Sequence, residues 1–275
     1  METPFPPFDP GDPDNLEEGD TPQHKRLRDI PFRMLAPNLI TLMAIVSGLT
    51  SIRLAVEDRF ELAIIAILFA AILDGLDGRV ARLLKSSTRF GAEMDSLADF
   101  VNFGVAPAVV LYIWALDELK SIGWIAALIY AICGCLRLAR FNVMQDNPNQ
   151  PKWQNNFFTG VPAPAGALIG LLPIYLGFLG LEVTKLSAAF FALYIVFVGL
   201  LMVSNLPTFS GKTIGKRISR ELVLPVMIIA VLFVALLFSF PWVTLSFICI
   251  AYLATLPFGH RSWQKQIAAD KDKNV

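Results

Sequence analysis

Long uninterrupted apolar runs constrain this chain more than any other feature of its sequence. Segments 62–73, 161–181 and 222–238 contain no charged residue, and about 20 apolar residues are enough for a helix to cross a bilayer. Charged residues make up only 17% of the chain and hydrophobic residues 55%, whereas soluble domains usually carry about 25% charged residues. The chain is therefore predicted to be an all-helical integral membrane protein.

The apolar runs predict eight transmembrane helices, so both termini would lie on one side of the membrane. These spans are expected at about 36–56, 60–84, 92–116, 121–141, 161–181, 186–206, 221–239 and 242–258. The predicted domains are a disordered acidic tail (1–22), an interfacial amphipathic segment (23–34), a transmembrane catalytic domain (35–258) and a C-terminal tail (259–275). For residues 23–34, a basic stretch without fixed structure is the alternative.

The distribution of lysine and arginine predicts the orientation of the spans. Of the 23 basic residues, 19 lie in the tails and alternate loops on the N-terminal side, and four lie on the opposite side. Basic residues are retained in the cytoplasm. Both termini, and the loops joining spans two to three, four to five and six to seven, are therefore predicted to be cytoplasmic.

Charge and cysteine content exclude other kinds of site. The 23 basic residues balance 23 acidic ones, and a protein without a basic excess is not expected to bind nucleic acid. Cys133, Cys135 and Cys249 lie inside apolar segments. Cys133 and Cys135 would point to different sides of a helix, so the three cysteines are expected to be packing residues rather than disulfide partners or metal ligands.

Four aspartates stand at the cytoplasmic ends of the second and third predicted spans. Asp74 and Asp77 close the second span, and Asp95 and Asp99 open the third. At 100° per residue, the members of each pair share one face of their helix. Because ionisable groups at this depth are expensive to bury, they are functional candidates. The sequence thus predicts four carboxylates at one cytoplasmic opening.

This carboxylate cluster favours divalent metal binding. Adjacent carboxylates repel one another, and hard cations such as Mg²⁺ or Mn²⁺ relieve that repulsion. Four acids suit two metal ions, and two-metal sites promote displacement at phosphorus. The small residues Gly78, Ala81 and Gly91 leave room for a nucleotide or pyrophosphate, while Arg82 is placed to meet phosphate charge.

Two other interpretations of the cluster are weaker. The acids could pair with Arg79, Arg82 and Arg89 in an interfacial ion network, but that would leave the glycines and the alanine on the same face unexplained. A cation transporter would carry acids near the midplane and interrupted, symmetry-related helices. Here the acids stand at span ends on one side.

The spacing of these residues resembles the signature of the CDP-alcohol phosphatidyltransferases. All eight signature positions are present, as Asp74-x2-Asp77-Gly78-x2-Ala81-Arg82-x8-Gly91-x3-Asp95-x3-Asp99. The resemblance implies that family's membrane fold, a homodimer, and transfer of a phosphatidyl or phosphoalcohol group from a CDP-linked donor to an alcohol with release of CMP. It also implies that the four aspartates bind two metal ions and that Asp99 accepts the proton of the alcohol, with Asp95 as the alternative base. Gly78, Ala81, Arg82 and Gly91 would then line the CDP pocket.

Two later segments resemble the bacterial phosphatidylserine synthases within that family. They are Arg137-Leu-Ala-Arg140-Phe-Asn142 and Phe158-Thr159-Gly160-Val-Pro-Ala-Pro-Ala. The resemblance implies CDP-diacylglycerol and L-serine as substrates, phosphatidylserine as product, and a multi-pass location in a bacterial-type inner membrane with the site facing the cytoplasm. A sibling enzyme using choline, glycerol-3-phosphate or inositol phosphate is the alternative.

A serine acceptor needs a cation for its carboxylate and polar groups around it. Arg137 and Arg140 share a helix face and are the candidate cations, with Asn142, Thr159 and Gly160 as further serine-binding candidates. The arginines could instead snorkel to lipid headgroups.

Two further residues are weaker candidates for binding the donor. Asn38, at the start of the first span, could reach the nucleotide or could cap a helix. Lys212, between spans six and seven, could hold donor phosphates or serve only as a positive-inside anchor.

Overall fold

Each predicted span falls on helical structure. The computed structural model describes residues 32–84, 88–145, 157–204, 207–209 and 220–271. In chain order its elements are α1 (Phe32–Val56), α2 (Phe60–Leu84), α3 (Arg89–Asp99), a π turn (Phe100–Val105), α4 (Ala106–Trp114), a 3₁₀ turn (Leu116–Leu119), α5 (Ser121–Gln145), β1 (Phe157–Thr159), α6 (Ala163–Gly170), α7 (Leu172–Phe178), α8 (Lys185–Val203), β2 (Pro207–Phe209), α9 (Arg220–Ser239) and α10 (Pro241–Lys271).

The predicted third span is not a regular α-helix. Pro107 has no N–H with which to bond the carbonyl of Phe103 four residues earlier, and the chain widens into the π turn, where the Ala106 N–H bonds to the Val101 carbonyl. The buried Tyr130 hydroxyl donates to the Phe103 oxygen at 2.9 Å. A side chain of α5 thus satisfies the carbonyl that the proline leaves without its helical partner.

The predicted span 161–181 is broken into α6 and α7 for a similar reason. Pro173 cannot donate to the carbonyl of Ile169, and the Tyr194 hydroxyl of α8 donates to that oxygen at 2.8 Å. The break lies at Leu171, which is itself completely buried. The prediction of one continuous helix is therefore wrong for this span. The break is buried, and backbone groups in a buried break need hydrogen-bond partners.

Among the described residues the fold is helical as predicted, apart from one short two-stranded antiparallel pair. Strand β1 pairs with β2 in the register Phe157↔Phe209 and Thr159↔Pro207. The pair joins the loop before α6 to the loop after α8. These two loops therefore meet at the same end of the molecule.

The outer faces of the helices are apolar. Val231 and Phe238 of α9 are 68% and 84% exposed, exposures that suit lipid rather than water as the surrounding medium. Four helical stretches among the described residues are long and apolar enough to cross a membrane: Leu35–Val56, Arg89–Trp114, Ser121–Met144 and Lys185–Val203. Shorter apolar helices lie at Ala163–Phe178, Val223–Ser239 and Pro241–Leu256. The protein is a membrane protein.

Helices α1 and α10 are both longer than the predicted spans at these positions. Helix α1 already begins at Phe32 and so includes the last residues of the predicted interfacial segment, whereas residues 1–31 lie outside the described residues. Helix α10 continues past the predicted end at 258 as far as Lys271. All three cysteines are free thiols, as predicted.

Candidate active site

Three of the four predicted metal ligands meet between α2 and α3. One carboxylate oxygen each from Asp74, Asp95 and Asp99 lie within 4.8 Å of one another. Thr88 is the N-cap of helix α3, and its hydroxyl accepts from the Gly91 N–H at 3.0 Å. This N-cap sets the start of the helix and so directs Asp95 and Asp99 toward Asp74.

The cluster fits a hard divalent cation. Its donors are all carboxylate oxygens, which suit Mg²⁺ or Mn²⁺. The Asp99 Oδ1 atom is buried and has no hydrogen-bond partner. Buried charged oxygens are costly without a counter-charge, so a bound cation would stabilise this arrangement.

Asp77 lies beside this cluster and is held by α1. The Thr41 hydroxyl donates to Asp77 Oδ2 at 2.7 Å, and it also lies 3.1 Å from the Pro37 carbonyl oxygen. Thr41 and Asp77 are both buried. The hydroxyl therefore fixes the orientation of the Asp77 carboxylate at the junction of α1 and α2.

A polar cavity of about 490 Å³ adjoins the aspartates. It contains the signature residues predicted to bind CDP, together with Asn38. Its lining is Pro37, Asn38, Thr41, Asp77, Gly78, Ala81, Arg82, Thr88, Gly91, Ala92 and Asp95. The structure thus brings α1, α2 and α3 together around one space of nucleotide-binding size.

The two signature glycines shape this cavity in different ways. A Cβ atom added at Gly78 would meet no other atom within 4 Å, so a larger side chain there would project into open space. At Gly91 the added Cβ would lie 3.0 Å from the Asn38 side-chain oxygen. Gly78 therefore keeps the cavity open, while Gly91 lets α1 approach α3. Arg82 is anchored to the same helix, since its Nε donates to the Gly78 carbonyl at 2.9 Å.

A second cavity, of about 510 Å³, lies on the other side of Asp95. Residues of α3 and α5 form it: Arg89, Ala92, Glu93, Asp95, Ser96, Asp99, Leu138, Phe141 and Asn142. The Asn142 amide donates to the Ser96 hydroxyl oxygen at 3.0 Å. Asp95 lines both cavities, so a donor in the first and an acceptor in the second would meet at the aspartate cluster.

Comparison with known families agrees with this arrangement. Residues 34–204 match the family model described as CDP-alcohol phosphatidyltransferase. The chain belongs to the CDP-alcohol phosphatidyltransferase family. A second model, CDP-alcohol phosphatidyltransferase 2, matches residues 221–257. The family match covers the helices that build the two cavities.

Several curated relatives of this CDP-alcohol phosphatidyltransferase are named for serine transfer. The CDP-diacylglycerol–serine O-phosphatidyltransferase of Mycobacterium tuberculosis (strain ATCC 25618 / H37Rv) is 41% identical over 83% of this chain and 79% of its own length. The Helicobacter pylori (strain 26695) enzyme of that name is 38% identical over 80% of this chain and 88% of its own. The archaetidylserine synthase of Methanothermobacter thermautotrophicus is 36% identical over 62% and 67%.

The two arginines predicted as candidates for binding serine have different surroundings in this phosphatidyltransferase. Arg137 is 7% exposed and its Nε has no hydrogen-bond partner; its guanidinium lies 5.7 Å from the centre of the Phe141 ring, which lines the second cavity. Arg140 instead donates to the carbonyl oxygens of Val203 at 2.7 Å and Ser204 at 3.1 Å. Arg140 thus binds the C-terminal end of α8.

Two other residues predicted to bind serine, Thr159 and Gly160, belong to the segment before α6. Gly160 is buried with φ +78°, and an added Cβ would clash with the Met202 backbone carbonyl; only glycine fits this turn easily. The backbone of Thr159 belongs to β1. Lys212 lies outside the described residues.

Sequence reasoning did not identify all of the groups that line the site. The bond from Thr41 to Asp77 joins residues 36 positions apart, although the position of Thr41 one turn after Asn38 was a usable signal. Glu93 and Ser96 line the second cavity. Their place within α3, next to the signature aspartates, could have pointed to them.

Proposed function

We propose that this enzyme transfers the phosphatidyl group of CDP-diacylglycerol to the hydroxyl of L-serine, giving phosphatidylserine and CMP. The observation that carries the proposal is the pair of polar cavities that share Asp95 beside the aspartate cluster. The names of the relatives support CDP-diacylglycerol and serine as the two substrates.

The donor would place its cytidine and phosphates in the first cavity. Arg82 would meet phosphate charge, and the open space above Gly78 would admit the nucleotide. Leu39 and Leu42 on the outer surface of α1 are 54% and 49% exposed. Acyl chains could therefore stay in contact with membrane phospholipids while the head of the donor enters from the side.

The aspartates would hold two divalent metal ions, Mg²⁺ or Mn²⁺, with Asp74, Asp77, Asp95 and Asp99 as the proposed ligands. When bound, these ions supply charge neutralisation at the phosphoryl oxygens. The chain's own contribution is to orient the carboxylates, through the Thr41 hydroxyl at Asp77 and the Thr88 cap of α3.

Asp99 is proposed as the general base. It lies deeper along α3 than Asp95 and lines the acceptor cavity. The serine hydroxyl would lose its proton to Asp99 as its oxygen bonds to the phosphorus of the phosphatidyl group. The bond from that phosphorus to the CMP oxygen breaks, and CMP leaves with the electron pair.

Arg137 is proposed to bind the serine carboxylate. The Arg137 guanidinium is buried and interacts electrostatically with Asp99, and its Nε, which has no hydrogen-bond partner, would be available to donate to a bound carboxylate. Asn142 lines the acceptor cavity and would contribute an amide group. Phe141, whose ring lies beside the Arg137 guanidinium, lines the same cavity. The carbonyl contacts of Arg140 support a role in holding α5 against α8.

The proposed topology has eight spans, both termini in the cytoplasm and the site at the cytoplasmic face of a bacterial-type inner membrane. The distribution of basic residues supports it. In a cysteine-free background, an impermeant maleimide should label Lys120→Cys in intact cells and Arg89→Cys only after permeabilisation; the reverse pattern would overturn the orientation.

Family membership supports a homodimer, and light scattering in detergent tests that assembly.

The decisive test of the proposed function is an acceptor comparison. Purified protein, CDP-diacylglycerol and Mg²⁺ or Mn²⁺ should release CMP when L-serine is added. Choline, glycerol-3-phosphate and inositol phosphate are the control acceptors. CMP release with one of these but not with serine would refute the serine assignment while leaving the reaction class intact.

A further inference from the structure

Glu93 stands in the acceptor cavity with no role in the proposed chemistry. It occupies α3 one turn after Arg89 and two residues before Asp95. We infer that Glu93 binds the ammonium group of the acceptor and thereby selects an amino alcohol over acceptors that lack an amine. This inference rests on the proposed function and names a specificity residue within it.

The cavity offers few other partners for an ammonium group. Among its carboxylates, Asp95 and Asp99 belong to the aspartate cluster. The side chains of Ser96 and Asn142 hydrogen-bond each other in both directions, at 3.0 and 3.1 Å. Glu93 is exposed and is one of the residues that line the cavity. In the part of the chain that the structure describes, it forms no ion pair, not even with Arg89. Its carboxylate is thus available for a cationic ligand.

The separation of Glu93 and Asp99 suits a small amino alcohol. Six residues of helix correspond to about 9 Å along the axis. Serine carries its ammonium two carbons from its hydroxyl, and a hydrogen bond at each end adds about 3 Å to the distance that it can bridge. With its hydroxyl at Asp99, serine can therefore direct its ammonium toward Glu93 at the outer part of the cavity.

The charge of Glu93 also works against the alternative acceptors. A phosphate monoester such as glycerol-3-phosphate would bring a second anion next to this carboxylate, and Arg89 is the only basic residue that lines the described cavity. Like charges in contact are unfavourable. Glu93 would thus favour a zwitterion by attraction and disfavour a phosphorylated alcohol by repulsion.

The test compares wild type, Glu93→Gln and the control Glu118→Gln, an exposed glutamate in the 3₁₀ turn after α4. Serine kinetics are measured by CMP release, and ethanolamine and 3-hydroxypropionate, which lack the carboxylate and the amine respectively, are tested as competitors. In Glu93→Gln the serine KM should rise about tenfold or more, because one charge-assisted hydrogen bond is lost, while kcat changes little. Ethanolamine should lose its inhibition, whereas 3-hydroxypropionate should retain it.

Several outcomes separate the inference from the proposed function. An unchanged serine KM and unchanged ethanolamine inhibition in Glu93→Gln, with normal wild-type activity, would overturn the inference alone. Absence of serine-dependent CMP release in wild type would overturn both. If the glutamine variant fails to fold, wild type still decides: ethanolamine must inhibit more strongly than ethylene glycol, and equal inhibition would contradict the role of Glu93.

Discussion

The hydroxyl of Thr41 is predicted to control metal affinity through Asp77. Replacing Thr41 by valine keeps the shape of the side chain and removes the donor that lies 2.7 Å from Asp77 Oδ2. Since both residues are buried, water would not readily replace the lost bond. The Asp77 carboxylate would then lose the contact that orients it.

The size of the effect follows from the charge of the acceptor. A hydrogen bond to a charged group contributes about 1.5–3 kcal/mol, and loss of a group that orients a metal ligand typically lowers metal affinity about 10–100-fold. Thr41→Val should therefore raise the half-saturating Mn²⁺ concentration by about one to two orders of magnitude. Thr41→Ser keeps the hydroxyl and should recover most of the affinity.

The assay is a Mn²⁺ titration, followed both by CMP release and by direct binding in electron paramagnetic resonance. Thr50→Val is the matched control, because Thr50 makes the same kind of bond to a carbonyl four residues earlier on α1, at 2.6 Å, but touches no carboxylate in the described structure. Equal Mn²⁺ affinity in Thr41→Val and Thr50→Val would refute the reasoning.

Three further predictions test other parts of the structure. Asp99→Asn should abolish CMP release. The unfolding temperature should not fall, because the substitution removes a buried charge. Substantial turnover would exclude Asp99 as the base. Arg137→Gln should raise the serine KM, whereas Arg140→Gln should mainly lower the unfolding temperature, and equal serine KM values in the two variants would contradict this division. Tyr130→Phe should lower the free energy of unfolding by about 1–3 kcal/mol, because the Phe103 carbonyl loses its donor. Tyr112→Phe, which removes an exposed bond, is the control, and equal losses would refute the argument.

The carboxylate cluster was predictable because helical spacing is local. Asp95 and Asp99 are one turn apart, so any α-helix through them places both side chains on one face. The signature residues around Gly78 and Gly91 follow the same regularity, and the structure places them at one cavity. The apolar runs predicted the positions of the helices because membrane spans require them.

The irregular segments were not predictable in the same way. Pro107 and Pro173 show from the sequence alone that a helical backbone hydrogen bond is missing at each position. The carbonyl that loses its partner instead accepts from a tyrosine hydroxyl of another helix, Tyr130 or Tyr194. Whether a proline ends a helix, kinks it or widens it depends on such distant partners. The β1–β2 pair likewise joins segments about 50 residues apart.

The sequence by itself determined that the chain is a helical membrane protein with four aspartates at fixed helical intervals, because both properties follow from periodicities of a few residues. Only the tertiary structure decided which side chains complete the site. It placed Thr41 on Asp77, turned Arg140 toward the end of α8 and set Glu93 in a cavity beside Asp99. These contacts depend on how α1, α3, α5 and α8 pack, which local spacing does not specify.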